Sequence, residues 1–341
     1  MQKIFFFLLV LISVFSCNQQ AAPTAESSKS EVQEDTALVR LNKLIAQDPN
    51  NYIHYLERAR YFGKIEKFGL AYQDLNRAVA IDSTRSDIYL LRGQLNWIQK
   101  NADAAYQNYS ACIRHDSANI ECLLLKAEID IALKNFDVAF GLINAALRHD
   151  DHVARAYYLK GNIYLLKADT NLAASSYQTA IEVDPSFFDA YVDLGTLYAN
   201  QKHDLAEEYF NSAITIRPNN IQVWYNKAMF LQESGFKDQN RYSKAFACYD
   251  TILKIDPKFF AAFFNKGYIN LVYLKHYEDA IKEFSLAIEG YPGYYQAYYN
   301  RGLAYEKTGR IADAEHDYRQ SLQIQPDYTD AAKALSRIKN Q

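Results

Sequence analysis

The chain has 341 residues, with 37 Lys and Arg against 40 Asp and Glu for a formal net charge of -3, and only 12 Gly and 7 Pro. So few Gly and Pro in so long a chain exclude a loop-rich all-β fold, a collagen-like rod and a disordered hub. The balanced charge removes the electrostatic pull expected of a nucleic-acid binder, and four Cys are too few for a disulfide scaffold.

The N-terminus reads as an address. Lys3 precedes an unbroken apolar run from Ile4 to Phe15. Twelve helical residues span about 18 Å, too short for a hydrocarbon core of about 30 Å, so the segment reads as a secretory signal and not a membrane span. Val14-Phe15-Ser16-Cys17 resembles a bacterial lipobox, in which the cysteine is lipidated and becomes the mature N-terminus. Phe15 is bulkier than that pattern usually allows. The resemblance implies a signal peptide over 1–16 and lipidation of Cys17, with multiple acyl chains giving an essentially permanent anchor. Residues 17–36 then read as the lipidated cysteine and a small, polar, aperiodic tether reaching about 23 Å. No acidic cluster follows Cys17, so the expected location is the outer membrane, facing the periplasm.

Beyond the tether the prolines set the organisation. From Pro49 to Pro185 is four times 34 residues, and Pro218, Pro257, Pro292 and Pro326 follow at intervals of 33, 39, 35 and 34. On this lattice repeats begin at Tyr52, Ser86, Ile120, Ala154, Phe188, Ile221, Phe260 and Tyr295. Position eight is Ala59, Gly93, Ala127, Gly161, Gly195, Ala228, Gly267 and Gly302. Position twenty, allowing for insertions, is Ala71, Ala105, Ala139, Ala173, Ala206, Ala245, Ala280 and Ala314. Only small residues stand where two helices of a hairpin cross closely, since a larger side chain there costs about 1–3 kcal/mol. Position four is aromatic in every repeat but the third, which has Leu123; most of the 28 Tyr are therefore packing.

These columns resemble the tetratricopeptide repeat (TPR) family over nearly all of residues 37–341. The resemblance implies an all-α, right-handed TPR superhelical solenoid of antiparallel helix hairpins. A leading half-repeat helix occupies 37–51, eight repeats fill 52–328 (52–85, 86–119, 120–153, 154–187, 188–220, 221–259, 260–294 and 295–328), and a capping helix closes the array over 329–341. Two departures stand out. Position seven, usually Leu in the family, is Arg58, Arg92, Lys126, Lys160, Lys227, Lys266 and Arg301, with Leu194 the exception. A long stem whose charge reaches an acid on the second helix, such as Asp74, Glu283 or Asp317, is the expected role. The sixth repeat also carries about five extra residues around Phe236–Asn240, which lengthen its turn.

In this family the first helices line a concave, peptide-binding face. At inward position six, Asn226, Asn265 and Asn300 resemble an asparagine ladder, whose amides can grip an extended backbone. Tyr225, Phe264 and Tyr299 beside them, with Tyr268, give an aromatic lining; a plain polar helix face is the alternative. Leu90, Leu91, Leu124, Leu125, Tyr158 and Leu159 predict an apolar groove in repeats two to four, able to take a partner helix or a second copy, unless tighter curvature buries it. Position five holds no basic residue, so the family's carboxylate clamp is not expected.

Other signals read as structural. His149-Asp150-Asp151-His152 falls on a turn, and His115 shares His149's repeat position. Cys112 and Cys122 lie ten residues apart across a turn, and free buried thiols are favoured over a bridge. No phosphate loop, HExxH or nucleophile elbow occurs, and no enzymatic activity, cofactor or metal is expected. The functional expectation is a membrane-tethered scaffold or adaptor that binds proteins or extended peptides, in envelope biogenesis or secretion-complex assembly. A solute- or glycan-binding lipoprotein using the aromatic groove is the alternative.

Overall fold

A computed structural model describes residues 26–235 and 238–339, with side chains described from Thr36 to Ile338 outside that gap. Residues 1–16, read above as a signal peptide, and Cys17 lie outside this range. Among the described residues every regular element is helical, and no helix is long and apolar enough to cross a membrane. The chain forms two compact units, up to Cys122 and from Leu123.

The first unit contains α1 (Glu26–Gln47), α2 (Tyr52–Lys64), α3 (Phe68–Ile81), α4 (Ser86–Ile98), α5 (Ala102–His115) and the start of α6 (Ile120–Ala132). The second runs on through α7 (Phe136–His149), α8 (Ala154–Leu166), α9 (Thr170–Val183), α10 (Phe188–Asn200), α11 (Leu205–Ile216), α12 (Ile221–Ser234) and α13 (Asn240–Ile255). It ends with α14 (Phe260–Tyr268), a π-turn (Ile269–Leu274), α15 (Tyr277–Gly290), α16 (Tyr295–Lys307), α17 (Ile311–Ile324) and α18 (Thr329–Lys339). Helices pair within repeats, as α2 with α3 and α16 with α17, and within each unit hairpins pack on their neighbours, as α3 on α4 in the first and α9 on α10 in the second. This is the all-α solenoid packing that the lattice predicts.

The hairpins are punctuated identically. Asn101, Asp169 and Asn220 cap their helices by accepting the backbone N–H three residues on, satisfying one of the orphan donors of a helix start. At position fifteen the chain turns through the left-handed region at Glu66, Lys100, Lys134, Ala168, Lys202 and Gly309. Only the last of these has the residue type that adopts this conformation without strain.

The small-residue columns work as expected, with a refinement. All eight Ala at position twenty are fully buried. The close approach at position eight is to a ring: an added Cβ at Gly161 would stand 2.5 Å from Tyr177, at Gly267 2.8 Å from Phe284, and at Gly302 2.7 Å from Tyr318. Position-four rings also do more than fill space. Tyr55, Tyr89, Tyr157 and Trp224 each donate to the carbonyl six residues upstream, at 2.7–3.1 Å, tying each hairpin to the turn that enters it.

Position seven follows a rule of sixteen. Arg58 holds Asp74 through Nε and Nη2 at 2.7 and 2.6 Å and reaches back to Asn42. Arg301 holds Asp317 at 2.7 and 2.8 Å and reaches back to Ser285. Lys266 spans Asp250 and Glu283 at 2.9 and 3.0 Å. Arg92 and Lys227 reach Asn76 and Asn211, each sixteen residues back. In Arg58, Lys266 and Arg301 the cation therefore joins the preceding second helix to that of its own repeat.

Three expectations change. Helix α1 begins at Glu26, inside the segment read as tether, because nothing after Pro23 breaks a helix and propagation from the packed 37–47 segment is easier than nucleation. The insertion in the sixth repeat lengthens helices as well as the turn: α12 and α13 have 14 and 16 residues. Cys112 and Cys122, expected as free thiols, form a disulfide with Cα atoms 6.3 Å apart. Both side chains are fully buried in the first unit, so two inward-pointing positions across one turn meet.

Candidate peptide groove

The inward faces of α10, α12, α14 and α16, all in the second unit, carry the candidate residues. Position five is a packing position before it is a binding one. Tyr158, Tyr225, Phe264 and Tyr299 each contact the ring that closes their own repeat (Phe187, Phe259, Tyr294 and Tyr328) at 5.2, 5.8, 4.7 and 5.3 Å. Each also meets a ring of its second helix (Tyr177, Tyr249, Phe284 and Tyr318) at 5.6–6.3 Å. The result is an aromatic seam, three rings per repeat, with the position-five rings half-buried within it. Tyr268 lies 6.5 Å from Phe264 on the same helix.

The three asparagines differ in what they have left to offer. Asn226 is partly exposed and accepts from Gln222 Nε2 at 2.7 Å. Asn265 is 7% exposed and donates its amide to Tyr225 Oη at 3.0 Å. Asn300 is 9% exposed and donates to its own helix at Gln296 O, 2.7 Å. One amide N–H of Asn265 and one of Asn300 are thus engaged within the protein, which leaves each amide a second N–H and its carbonyl oxygen.

The apolar residues of repeats two to four require a correction. In the first unit Leu91 is buried and Leu90 partly so; in the second, Leu124 and Leu159 are buried and Leu125 and Tyr158 partly so. None of the six is exposed, so they form no open apolar patch: long side chains at positions five and six fold into the packing between neighbouring first helices. The exposed apolar residues stand instead near the hairpin turns, at Trp97 and Ile98 in the first unit and at Leu133, Leu165 and Leu166 in the second.

One pair was not legible as a site. Tyr158 Oη donates to Asp193 Oδ2 at 2.8 Å, from position five of one repeat to position six of the next, the same register as Tyr225 with Asn265. Burial, with the charge of Asp189 one turn away, pushes the Asp193 carboxyl up to about 6 against the opposing effect of the Tyr158 bond. The signal was present in the sequence as the one acid among position-six Leu and Asn residues of this unit. Of the residues read as structural, His115 stacks on Tyr89 at 5.0 Å. Asp150, Asp151 and His152 form an exposed cluster close enough to share an ion.

Comparisons with known proteins agree with this architecture. Tetratricopeptide repeat profiles match residues 154–187, 188–220 and 295–328, three of the repeats placed by the lattice. RNA polymerase II-associated protein 3 of Rattus norvegicus is 31% identical over 122 residues, covering 35% of this chain and 18% of that protein. Anaphase-promoting complex subunit 3 of Schizosaccharomyces pombe is 30% identical over 91 residues, covering 27% and 14%. The chain spans about a fifth or less of the length of these curated relatives. Among solved structures, the C-terminal part of a TPR repeat-containing protein from Cytophaga hutchinsonii aligns with TM-score 0.52 at 21% identity, covering 69% of this chain and 95% of that one. Pseudomonas aeruginosa PilF aligns with TM-score 0.52 at 13% identity, covering 62% and 94%. The hairpins at 154–187, 188–220 and 295–328 match tetratricopeptide repeats, and the fold is an all-α solenoid.

Proposed function

We propose that this protein is a non-enzymatic scaffold that holds an extended segment of a partner protein along the inward faces of α10 to α16, and that Cys17 anchors it to a bacterial outer membrane on the periplasmic side. The observation that carries the binding reading is the repetition of polar side chains beside half-buried rings at one register on successive helices, with Asn226 partly exposed. A ligand laid across them meets the same chemistry in each repeat. The Cys112–Cys122 disulfide supports export, because such bonds form and persist in oxidising compartments. Envelope biogenesis or assembly of a secretion complex is the setting this combination favours.

Photo-crosslinking tests the groove. A crosslinker at Asn226 or Met229 should capture a discrete partner in cells, whereas one at Lys254 on the second helix should not. Equal capture from both faces overturns the reading. Metabolic labelling with an alkynyl fatty acid tests the anchor: label should be present in wild type and lost in Cys17→Ala.

One observation favours the solute-binding alternative. A cavity of about 290 Å³ between α9 and α10 is lined by Thr170, Asn171, Ser175, Gln178, Tyr198 and Gln201 among others, with no charged side chain. Neutral amides and hydroxyls beside a ring suit a polyhydroxylated ligand, and a glycan array separates this reading from the first.

A further inference from the structure

The sixth repeat, with its insertion, is followed by a seventh with one extra residue. The single extra residue is absorbed where α14 widens into the π-turn Ile269–Leu274. An α-helix cannot take up one residue without rotating everything beyond it by about 100°, whereas a π-turn confines the change to one turn. Gly267 therefore keeps its place against Phe284 and Ala280 stays fully buried.

What the π-turn changes is the aromatic arrangement. Tyr273 stacks on Tyr242 of the preceding repeat at 4.9 Å and 21°, and stands nearly perpendicular to Tyr268 at 6.0 Å and 76°. Tyr273 nonetheless stays 39% exposed. Asn270, on the same turn, is 5% exposed. Glu233, at the end of α12, completes the surroundings: its charge and those of Tyr268 and Tyr242 add to burial in raising the Tyr273 phenol. Burial outweighs the field of Lys202 in pushing the Glu233 carboxyl up.

The inward positions two, six, nine and thirteen of the fifth to seventh repeats are Asp189, Asp193, Thr196 and Asn200, then Gln222, Asn226, Met229 and Glu233, then Ala261, Asn265, Tyr268 and Val272. They hold three acids and no base. A cation over ring faces is attracted by their quadrupoles, and a carboxylate alongside strengthens the preference.

We propose that the segment bound in the groove presents a lysine or arginine side chain, and that Glu233, Tyr268 and Tyr273 hold its cation at the junction of the sixth and seventh repeats. This rests on the groove reading above and assigns the chemistry of its partner.

The test is a positional-scanning library of twelve-residue fluorescent peptides titrated by anisotropy against the mature chain. Pools with Lys or Arg fixed at a central position should bind at least tenfold tighter than norleucine or Glu pools. Glu233→Gln should remove most of that preference, and Glu233→Lys should turn it toward Glu pools, with the thermal melt unchanged because Glu233, though its carboxyl is partly desolvated, keeps an exposed side chain. Equal binding of Lys and norleucine pools, or a preference that survives both substitutions, overturns the assignment and leaves the groove standing. Absence of binding by every pool defeats the groove reading and this assignment together.

Discussion

The Asp317 side chain is 1% exposed, and its charge is tolerable only because the Arg301 guanidinium meets both of its oxygens. Removing one partner of such a pair costs far more than removing both, since a lone buried charge keeps its desolvation penalty. Arg301→Met should therefore destabilise the fold by about 3–5 kcal/mol, and Arg301→Met with Asp317→Leu should recover much of the loss. Urea denaturation of the two variants decides it; additive losses would show the pair to be independent of burial.

Asp193 behaves oppositely. Its folded pKa of about 6 lies above the ordinary value of 3.8, so the folded state holds this proton more tightly than the unfolded chain does. The group's contribution to stability is greatest below about pH 4, falls as pH rises through 6, and stays at its unfavourable limit above. An upward shift of about two units corresponds to about 3 kcal/mol. Asp193→Asn, which can still accept from Tyr158, should be more stable than wild type at pH 8 by about 1–3 kcal/mol. It should also flatten the stability profile between pH 4 and 7. A variant that is less stable at pH 8 would show that the charge is better solvated than its burial implies.

At the scale of the element, the repeat length tells where a hairpin departs from its neighbours and the structure tells how. The one-residue excess of the seventh repeat is visible in the proline spacing, but nothing local marks Ile269–Leu274 as the place that absorbs it. That choice follows from contacts on both sides, Gly267 against Phe284 and Ala280 in the core, which leave only the stretch between them free to widen. The disulfide is a similar case. Spacing allowed Cys112 and Cys122 to meet, and the packing of their helices makes both point inward. It closes a loop of ten residues, so its reduction should lower stability by about 2–3 kcal/mol. Thermal unfolding of wild type with and without reductant, beside a Cys112→Ser, Cys122→Ser variant, measures this; an unchanged melt in reductant would refute it.

At the scale of the whole molecule, contacts within each unit join hairpins to their neighbours, and the stability of a unit is then a sum of repeat and interface terms. The closing helix α18 buries Ala334 and Ile338 against Ala314 and Tyr318, with Tyr299 at the edge of the same cluster. Deleting 329–341 should raise amide exchange in α16 and α17 and leave α8 and α9 unaffected. Exchange that rises uniformly through the second unit would mean that its repeats unfold as one body.

The period, the small-residue columns and the cation at position seven were legible without coordinates, because each obeys a short-range rule repeated eight times. Repetition makes local geometry statistically visible: Ala at position twenty and a ring at position four recur where the same two helices cross, whatever surrounds them. The partners of these residues were less legible. That Arg301 reaches Ser285 as well as Asp317, or that Tyr158 bonds to Asp193, depends on how one hairpin lies on the next. The availability of the candidate groove residues was the least legible of all. Asn265 and Asn300 occupy inward positions by sequence, yet whether an amide is spent on a neighbouring phenol or on its own helix is settled by side chains more than one helix away. Of the six residues of the expected apolar groove, Leu91, Leu124 and Leu159 went into the core and the other three are partly covered. Sequence by itself determined the hairpin, because a hairpin is a matter of spacing and side-chain size along one chain. Only the tertiary structure decided which polar groups remain available, because availability is what is left after every neighbour has taken its bonds.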